Sequence, residues 1–208
     1  MINDKKSVAI VSGGIDSITM LYEYKDDIAL VLSFDYGAML NKHEIPFAVE
    51  HCKKLNIKHI IIDIAFIGNS FKSFLLSSND SVDNVPFRNG IMLAIACGYA
   101  DNYGYKQVMI ASNYDDSQVF PDCTNEFIRN YSIGFEKGTI NKIKIVAPFM
   151  ELFKEQIIKK GYSLGVNYAH TYSCYNGGVI HCGKCNACVN RKKSFLKSGI
   201  TDPTDYVL

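Results

Sequence analysis

The chain has 208 residues, of which 48% are hydrophobic and 21% charged, so it can bury a core and is neither disordered nor low in complexity. A chain of this length forms one domain with at most a small appendage, which excludes two large domains. Its 22 Lys and Arg balance 21 Asp and Glu at a net charge of +1, so no overall field draws it to nucleic acid or to an anionic membrane.

The first third of the chain alternates short β-branched runs with amphipathic segments. The pattern predicts a strand over 7–11, a helix over 16–24, a strand over 28–34, a helix over 43–55 and a strand over 59–64. Pro46 is expected in the first turn of the second helix, where proline is tolerated. The order of elements is therefore βαβαβ.

The next part of the chain repeats this alternation after a polar stretch, 65–86, which is expected to be irregular. The predicted elements are a helix over 89–103, a strand over 107–111, a helix over 124–135, a strand over 144–147 and a helix over 153–164. Short apolar strands separated by helices predict an α/β fold with a doubly wound, mainly parallel sheet. Such sheets bind ligands at the carboxyl ends of their strands.

The composition changes to Cys, Gly and Asn from about residue 172. We therefore expect a main domain over 1–171 and a small module with its tail over 172–208. No apolar run approaches the length of a membrane span, and the first residues show no signal-peptide cleavage pattern. A cytoplasmic location is the expectation.

The segment Ser12-Gly13-Gly14-Ile15-Asp16-Ser17 follows the first predicted strand and opens a helix. Backbone N–H groups and the positive helix end converge in such a turn, which suits phosphate oxygens. The segment lacks the endings of a Walker loop and of a dinucleotide-binding loop. The alternative is an ordinary glycine turn in which Ser12 and Asp16 cap the helix.

Four of the seven cysteines fall within 15 residues, in the order Cys174, Cys182, Cys185 and Cys188. Two consecutive C-x-x-C steps and an earlier cysteine place four thiols within reach of one metal ion. Four thiolates form the closed, tetrahedral set of a structural zinc site. Free surface thiols and a redox pair are the alternatives.

The glycine segment resembles the signature of the PP-loop ATP pyrophosphatases, which carry Ser-Gly-Gly-x-Asp-Ser after their first strand. The cysteine segment resembles the C-terminal part of the 7-cyano-7-deazaguanine synthases, the QueC family. Further segments that resemble this family in the same order are 33–37, 85–89, 121–123 with Glu126 and Phe127, and 147–149 with Lys154, Ile157, Gly165 and Val166.

The resemblance implies a PP-loop fold with a C-terminal zinc module and an ATP-dependent carbon–nitrogen ligase. The family converts 7-carboxy-7-deazaguanine and ammonia to the 7-cyano base, for queuosine and related deazapurines. The implied route passes through an adenylated carboxylate and an amide. ATP, magnesium and a structural zinc are the implied cofactors. A homodimer with small-molecule substrates, and with neither a membrane nor a nucleic acid as a partner, is expected.

The resemblance also implies roles for individual residues. The expected ATP-binding residues are Val11, Ser12, Gly13, Gly14, Ile15, Asp16, Ser17, Asp35 and Tyr36. The expected catalytic residues are Asp16, Ser17 and Arg88, and the expected substrate-binding residues are Arg88, Asn89, Asp116 and Asp122. A helix-start ion pair is the alternative for Arg88, and simple turns are the alternative for Asp35, Tyr36, Asp116 and Asp122.

Other functions remain open from the sequence. The loops at 38–42 and 117–120 depart from the family pattern, which allows adenylation of another carboxylate or of a macromolecule-linked acceptor. Thiolation of tRNA, with Cys123 carrying the sulfur as a persulfide, is a further enzyme hypothesis. A zinc knuckle that binds nucleic acid or protein, beside a degenerate nucleotide sensor, is the non-enzyme hypothesis.

Overall fold

The computed structural model describes residues 6–76 and 84–207. Within these residues, five strands, all of them parallel, form one sheet in the order β3-β2-β1-β4-β5. The strands are β1 (Ser7–Ile10), β2 (Ile28–Asp35), β3 (Lys58–Asp63), β4 (Gln107–Met109) and β5 (Lys144–Val146). The five predicted strands and the parallel α/β class are confirmed.

Eight α-helices accompany these strands in the described part of the chain. They are α1 (Ile15–Glu23), α2 (Asn41–Lys54), α3 (Phe66–Ser70), α4 (Arg88–Asn102), α5 (Tyr114–Ser117), α6 (Asn125–Gly138), α7 (Lys154–Ser163) and α8 (Asn186–Ser198). Two short 3-10 helices, Pro121–Cys123 and Tyr168–His170, precede α6 and follow α7. No helix among the described residues is long and apolar enough to cross a bilayer.

The sheet is covered on both faces. Val8 and Ile10 of β1 join a core cluster that includes Leu93 of α4, whereas Ala9 joins a cluster that includes Ile18 of α1. Successive side chains of a strand point to opposite faces, so β1 is buried from both sides. This is the doubly wound arrangement, and it requires strands that are apolar throughout.

The strand order reverses between β1 and β4. From β1 the chain winds outward to β2 and β3, and it then returns to place β4 and β5 on the other side. The crevice outside the carboxyl ends of β1 and β4 is therefore the topological switch point, where open α/β sheets bind their ligands. The Ser12–Ser17 segment directly follows β1 at this point.

Two local predictions were wrong. Helix α2 begins earlier than expected because the Asn41 side chain accepts hydrogen bonds from the backbone of Tyr36 and Ala38, so Pro46 lies inside the helix rather than in its first turn. The stretch 65–86 contains α3, which is too short to show a helical period in the sequence. Residues 77–83 of that stretch lie outside the described residues.

The C-terminal segment packs directly on the main sheet. Tyr172, Cys174 and Cys188 are buried in the same core cluster as β1 and α4. Helix α8 contacts α7 on the other face, where Phe195 joins the second core cluster. The sequence predicted no helix here, because the cysteine spacing obscures the apolar period of α8.

Candidate active site at the carboxyl ends of β1 and β4

The loop between β1 and α1 brings several backbone amides to one place. The amides of Ser12 and Gly13 donate to the Ser17 Oγ over 3.2 and 3.3 Å, and the Gly14 amide donates to the Ser12 Oγ over 3.1 Å. These bonds hold the loop against the positive end of the nine-residue helix α1. The geometry suits phosphate oxygens, as the sequence motif predicts.

Gly13 is required by the packing of this loop. Its backbone has φ +109°, and a Cβ built there lies 2.0 Å from the Glu44 carbonyl oxygen. A side chain at this position therefore collides with the first turn of α2, in a backbone region that L-residues rarely adopt. The Gly13 carbonyl in turn accepts a hydrogen bond of 3.1 Å from the Tyr172 amide.

A charged cluster lies beside the loop. Lys154, the first residue of α7, places its Nζ 3.1 Å from Asp16 Oδ2 and 3.8 Å from Asp116 Oδ1. Burial alone lowers the pKa of Lys154, but the two carboxylates hold it above its ordinary value. Burial raises the pKa of Asp16, and contact with Lys154 opposes that rise. Lys154 is therefore a fixed cation among the loop residues.

One of the two carboxylate oxygens of Asp16 is available to a ligand. Its Oδ1 is buried and has no hydrogen-bond partner within the described part of the chain, while Oδ2 contacts Lys154. A buried carboxylate oxygen without a partner is costly unless a ligand or ion satisfies it. Carboxylate oxygen is a ligand that Mg²⁺ accepts, so the site fits a magnesium ion on this residue.

Loop residues after β4 hold this cluster from the other side. Asp116 accepts a 2.8 Å hydrogen bond from the Asn113 side chain, and the Lys154 amide donates to Asp115 Oδ2 over 2.8 Å. Helix α5 is thereby fixed to the start of α7. The predicted residue Asp116 is thus part of the cluster through Lys154, which the sequence analysis noted without a role.

Arg88 extends the site toward the other predicted residues. It is the first residue of α4, and its guanidinium donates a 2.9 Å hydrogen bond to the Tyr36 hydroxyl and lies over the Tyr36 ring. Burial lowers the pKa of Arg88, and the surrounding Tyr36 and Glu44 more than offset that effect, so the pKa is raised. Arg88 remains positively charged at all accessible pH values.

Glu44 is a site residue that the sequence analysis missed. Its carboxyl group is buried on the first turn of α2 and accepts a hydrogen bond from the Ser12 side chain. Burial raises the pKa of Glu44 to about 7, against the lowering effects of Arg88 and Ser12. The sequence predicted a helix over this residue. It did not indicate that this helix begins beside the Ser12–Ser17 loop, which we call the phosphate loop.

The other predicted residues occupy the edges of the site. Asp122 accepts a 2.9 Å hydrogen bond from the Asn89 amide, and the Asn89 side chain donates to Cys123 Sγ. These contacts fix the start of α4. Asp35 accepts a hydrogen bond from the Gly37 amide in the turn after β2, and Val11 and Ile15 are buried on either side of the loop.

Cys123 is poorly suited to carry sulfur. The thiol is buried, and burial raises its pKa to about 12, so almost no thiolate is present at neutral pH. A persulfide-forming cysteine acts as its thiolate. The geometry therefore argues against the sulfur-transfer hypothesis.

The four cysteines of the C-terminal segment form one cluster. The Sγ atoms of Cys174, Cys182, Cys185 and Cys188 all lie within 4.8 Å of one another. Four thiolates at about 2.3 Å from a tetrahedral metal are about 3.8 Å apart, so the cluster fits such an ion. The amides of Cys182 and Cys185 donate to Cys174 Sγ and Cys182 Sγ, which favours thiolates.

The cysteine segment also touches the phosphate loop. In addition to the bond from the Tyr172 amide to Gly13, the His43 ring contacts the Gly177 carbonyl oxygen at 2.9 Å. Tyr175 lies close enough to Lys154 and Arg88 to influence their pKa values. The cysteine cluster and the loop are thus parts of one packed structure.

Comparison with known proteins identifies similar chains over almost the full length. The family model of "Queuosine biosynthesis protein QueC" matches residues 6–199. A curated 7-cyano-7-deazaguanine synthase of Porphyromonas gingivalis is 44% identical over 218 aligned positions, which cover 99% of each chain. The synthase of Desulfotalea psychrophila is 38% identical over 97% of this chain and 99% of its own. That of Methanocaldococcus jannaschii is 34% identical over the same shares.

Solved structures support the fold. The NMN synthetase of Francisella tularensis superposes with a TM-score of 0.55 at 18% identity, over 95% of this chain and 79% of that one. The U34-tRNA thiolase NcsA of Methanococcus maripaludis gives a TM-score of 0.53 at 14% identity, over 94% and 68% of the two chains. The sequence identities are low, so these similarities concern the fold alone.

Proposed function

The chain belongs to the QueC family of queuosine biosynthesis proteins, and from this premise we propose that it converts 7-carboxy-7-deazaguanine and ammonia to 7-cyano-7-deazaguanine with ATP. It is an ATP-dependent carbon–nitrogen ligase. Curated relatives with this activity in their names cover nearly the whole chain at 34% to 44% identity. The observation that carries the proposal is the phosphate loop beside Asp16 and Lys154, at the switch point of the sheet.

The reaction needs activation of a carboxylate. A carboxylate is a poor electrophile because its leaving group is oxide, whereas an adenylated carboxylate releases AMP. Attack by ammonia then gives the amide. A second adenylation, on the amide oxygen, allows elimination to the nitrile. Most of this catalysis consists of holding the reactants in line and stabilising charge on the departing pyrophosphate.

The loop and the lysine would hold the nucleotide. The loop would hold phosphate oxygens at the positive end of α1. The amides of Ser12, Gly13 and Gly14 donate to the Ser17 and Ser12 hydroxyls in this structure, so they would exchange these partners for phosphate oxygens when the nucleotide binds. Lys154 would neutralise the charge that develops on the leaving pyrophosphate, because it is a fixed cation within reach of the same loop. Val11, Ile15, Asp35 and Tyr36 would line the nucleotide site.

Magnesium would be held by Asp16, whose Oδ1 has no partner within the described residues. When bound, the ion would supply neutralising charge to the phosphate oxygens. The Lys154 contact would keep the carboxylate oriented toward the loop.

Arg88 would bind the substrate carboxylate before activation. Its planar guanidinium can form two parallel hydrogen bonds with a carboxylate, and its contact with Tyr36 fixes its direction. Asn89 and Asp122 would support Arg88 at the start of α4 and meet the deazapurine edge, and Asp116 would close the opposite side.

The metal of the cysteine cluster would be a structural zinc. The four thiolates leave no coordination position for substrate or water, which is the arrangement of closed zinc sites. Its role would be to hold the 172–208 segment against the phosphate loop.

The assembly and location follow from the same proposal. The family resemblance supports a homodimer that works in the cytoplasm, where ATP is available, on free small molecules. The balanced charge of the chain supports the absence of a nucleic-acid or membrane partner.

In the loop at 38–42, Ala38 and Leu40 are buried in the core, so this departure from the family pattern changes the packing of the core as well as the surface of the site.

Mass spectrometry of the reaction products tests this function. The protein is incubated with ATP, magnesium, ammonium and 7-carboxy-7-deazaguanine, with Asp16→Ala as the inactive control. We expect the amide and the nitrile with the unaltered protein and neither with the variant. Unchanged carboxylate in both reactions contradicts the proposal.

A further inference from the structure

The geometry points to Glu44 as the proton acceptor that removes a proton from the substrate nitrogen as the nitrile forms. This inference rests on the proposed function and deepens it, because it assigns a base to a step for which the sequence motifs offer none. It depends on where the Glu44 carboxyl lies, between the phosphate loop and Arg88.

The first contact is with the phosphate loop. The Ser12 hydroxyl donates to the Glu44 carboxylate. A Cβ built on Gly14 would lie 3.5 Å from Glu44 Oε1, so the carboxylate faces the backbone of the Ser12–Ser17 loop. Glu44 therefore lies against the surface on which the nucleotide phosphates would rest.

The second neighbour is the Arg88 guanidinium. The electrostatic influence between Glu44 and Arg88 is large enough to shift the pKa values of both groups. Arg88 donates to Tyr36, so its position is fixed. A substrate carboxylate held by Arg88 and adenylated at the loop would have its reacting carbon close to Glu44.

The nitrile-forming step requires a base. The amide oxygen attacks the α-phosphorus of ATP, the α–β phosphoanhydride bond breaks, and pyrophosphate leaves. The resulting imidate cation carries two protons on nitrogen. One passes to the released pyrophosphate, and Glu44 takes the other while the carbon–oxygen bond breaks, the electron pair leaves with AMP, and the carbon–nitrogen triple bond forms.

The electrostatic surroundings suit this role. Burial raises the pKa of Glu44 to about 7, so the group can accept and release a proton near neutral pH. The charged and titratable groups around it are Arg88 on α4, Tyr36 after β2 and Tyr172 from the cysteine segment. Both tyrosines have raised pKa values and stay neutral, so Glu44 is the group there that changes charge.

The test separates nucleotide activation from proton removal. Glu44→Gln keeps the size of the side chain and an oxygen that accepts from Ser12, but it cannot take a proton. Adenylation is measured as pyrophosphate–ATP isotope exchange with the carboxylate and without ammonia. Nitrile formation is measured from the amide and ATP, which removes the titration of ammonium from the experiment.

We expect the Gln variant to keep exchange within about threefold of the unaltered protein and to lose nitrile formation by roughly 100-fold or more. In the unaltered protein the rate from the amide rises with pH through about 7, and this rise is absent in the variant. Glu50→Gln is the matched control, since Glu50 is on the same helix with a side chain 51% exposed, and it should keep both rates.

Two results overturn the inference. If Glu44→Gln forms the nitrile at the normal rate, Glu44 is not the base. If the variant loses exchange and nitrile formation equally, Glu44 only positions the loop. If the Gln variant does not fold, Glu44→Asp replaces it. Glu44→Asp should lower the rate of nitrile formation from the amide more than the rate of exchange, and nitrile formation should still rise with pH. An equal loss of the two rates refutes the role of Glu44 as the base. No nitrile from the unaltered protein contradicts the proposed function instead.

Discussion

At the scale of single residues, the Asp16–Lys154 ion pair connects stability to the proposed chemistry. The two side chains are 17% and 18% exposed, and their charged atoms are 3.1 Å apart. Removing Asp16 leaves the Lys154 charge with only the longer 3.8 Å contact to Asp116, and losing the nearer partner of a largely buried charge is costly even where the intact pair contributes little to stability.

We therefore expect Asp16→Asn to abolish product formation and to lower the free energy of unfolding by about 2 kcal/mol, less than for a charge left wholly unpaired because Asp116 still faces Lys154. The double variant Asp16→Asn with Lys154→Met, which removes both charges, should recover most of this stability while remaining inactive. Urea unfolding and product assays on the three proteins measure both effects. A double variant as unstable as the single one contradicts the assignment of the loss to an unpaired charge.

The raised pKa of Glu44 predicts that the free energy of unfolding depends on pH. Its pKa is about 7 in the folded protein and 4.5 in an ordinary environment, so the unfolded chain loses this proton at a lower pH. Stability associated with the protonated group is complete below about pH 4.5 and is lost as the pH rises through about 7.

The Gln variant has no such ionisation. Its unfolding free energy relative to the unaltered protein should therefore increase by about 1.6 kcal/mol between pH 5.5 and 7, and by only a few tenths more up to pH 8. Denaturant unfolding of both proteins across this range provides the measurement. A difference that does not change with pH shows that Glu44 ionises at its ordinary value in the folded state.

Without the family resemblance, the sequence predicted only those site residues that are close together along the chain. The segment 12–17 and the four cysteines form motifs whose spacing itself indicates phosphate or metal binding. Glu44 and Lys154 belong to separate helices, α2 and α7, and the folded sheet alone brings them to Ser12 and Asp16. Their burial and pKa shifts therefore could not be inferred from local pattern.

At the scale of elements, the approach of α2 to the phosphate loop sets the geometry of the site. The loop and the first turn of the helix are in backbone contact at Gly13, where a Cβ would lie 2.0 Å from the Glu44 carbonyl oxygen. Displacement of either element by a fraction of an ångström changes the positions of the loop amides.

Gly13→Ala should lower activity by about 100-fold or more, because displacement of positioning groups by about 1 Å can have this effect. Gly98→Ala is the control: its Cβ would meet nothing within 4 Å, it lies inside α4, and it should be active and slightly more stable. Initial rates and thermal melting compare the two. Normal activity in Gly13→Ala contradicts the described packing.

The cysteine segment is the second element that supports the loop. Chelation of the metal should lower the melting temperature on the order of 10 °C and weaken ATP binding, since the Tyr172–Gly13 and His43–Gly177 contacts depend on this segment. Metal analysis should find one zinc per chain, absent in Cys185→Ser and retained in Cys52→Ala, which alters a buried cysteine on α2. If the ATP affinity does not change after loss of the metal, the cysteine segment does not support the loop.

Elements with a long apolar period or a β-branched run were predictable, and short or interrupted ones were not. All five strands and the longer helices of the sheet domain were found with small errors at their ends. Helix α8 was missed because its buried positions, Cys188, Arg191 and Phe195, include a metal-binding residue type and a charged residue. Arg191 is buried through bonds to Asp202, Thr171 and Tyr168 that only the fold reveals.

At the scale of the whole molecule, the order of the strands places the chemistry. The sequence predicted a parallel sheet and ligand binding after the first strand, but not that β4 lies next to β1. That adjacency brings the loop after β4, with Asp116, to the loop after β1, with Asp16, and Lys154 joins them. Strand order depends on long-range packing, which a local pattern does not record.

In the proposed function, ATP activates the carboxylate, and then the amide, by adenylation at this crevice. The most direct measurement is oxygen transfer from 7-carboxy-7-deazaguanine labelled with ¹⁸O in both carboxylate oxygens. Adenylation predicts that each label leaves the substrate in an AMP molecule, one when the amide forms and one when the nitrile forms. Recovery of the label in inorganic phosphate or in water, with unlabelled AMP, contradicts the account.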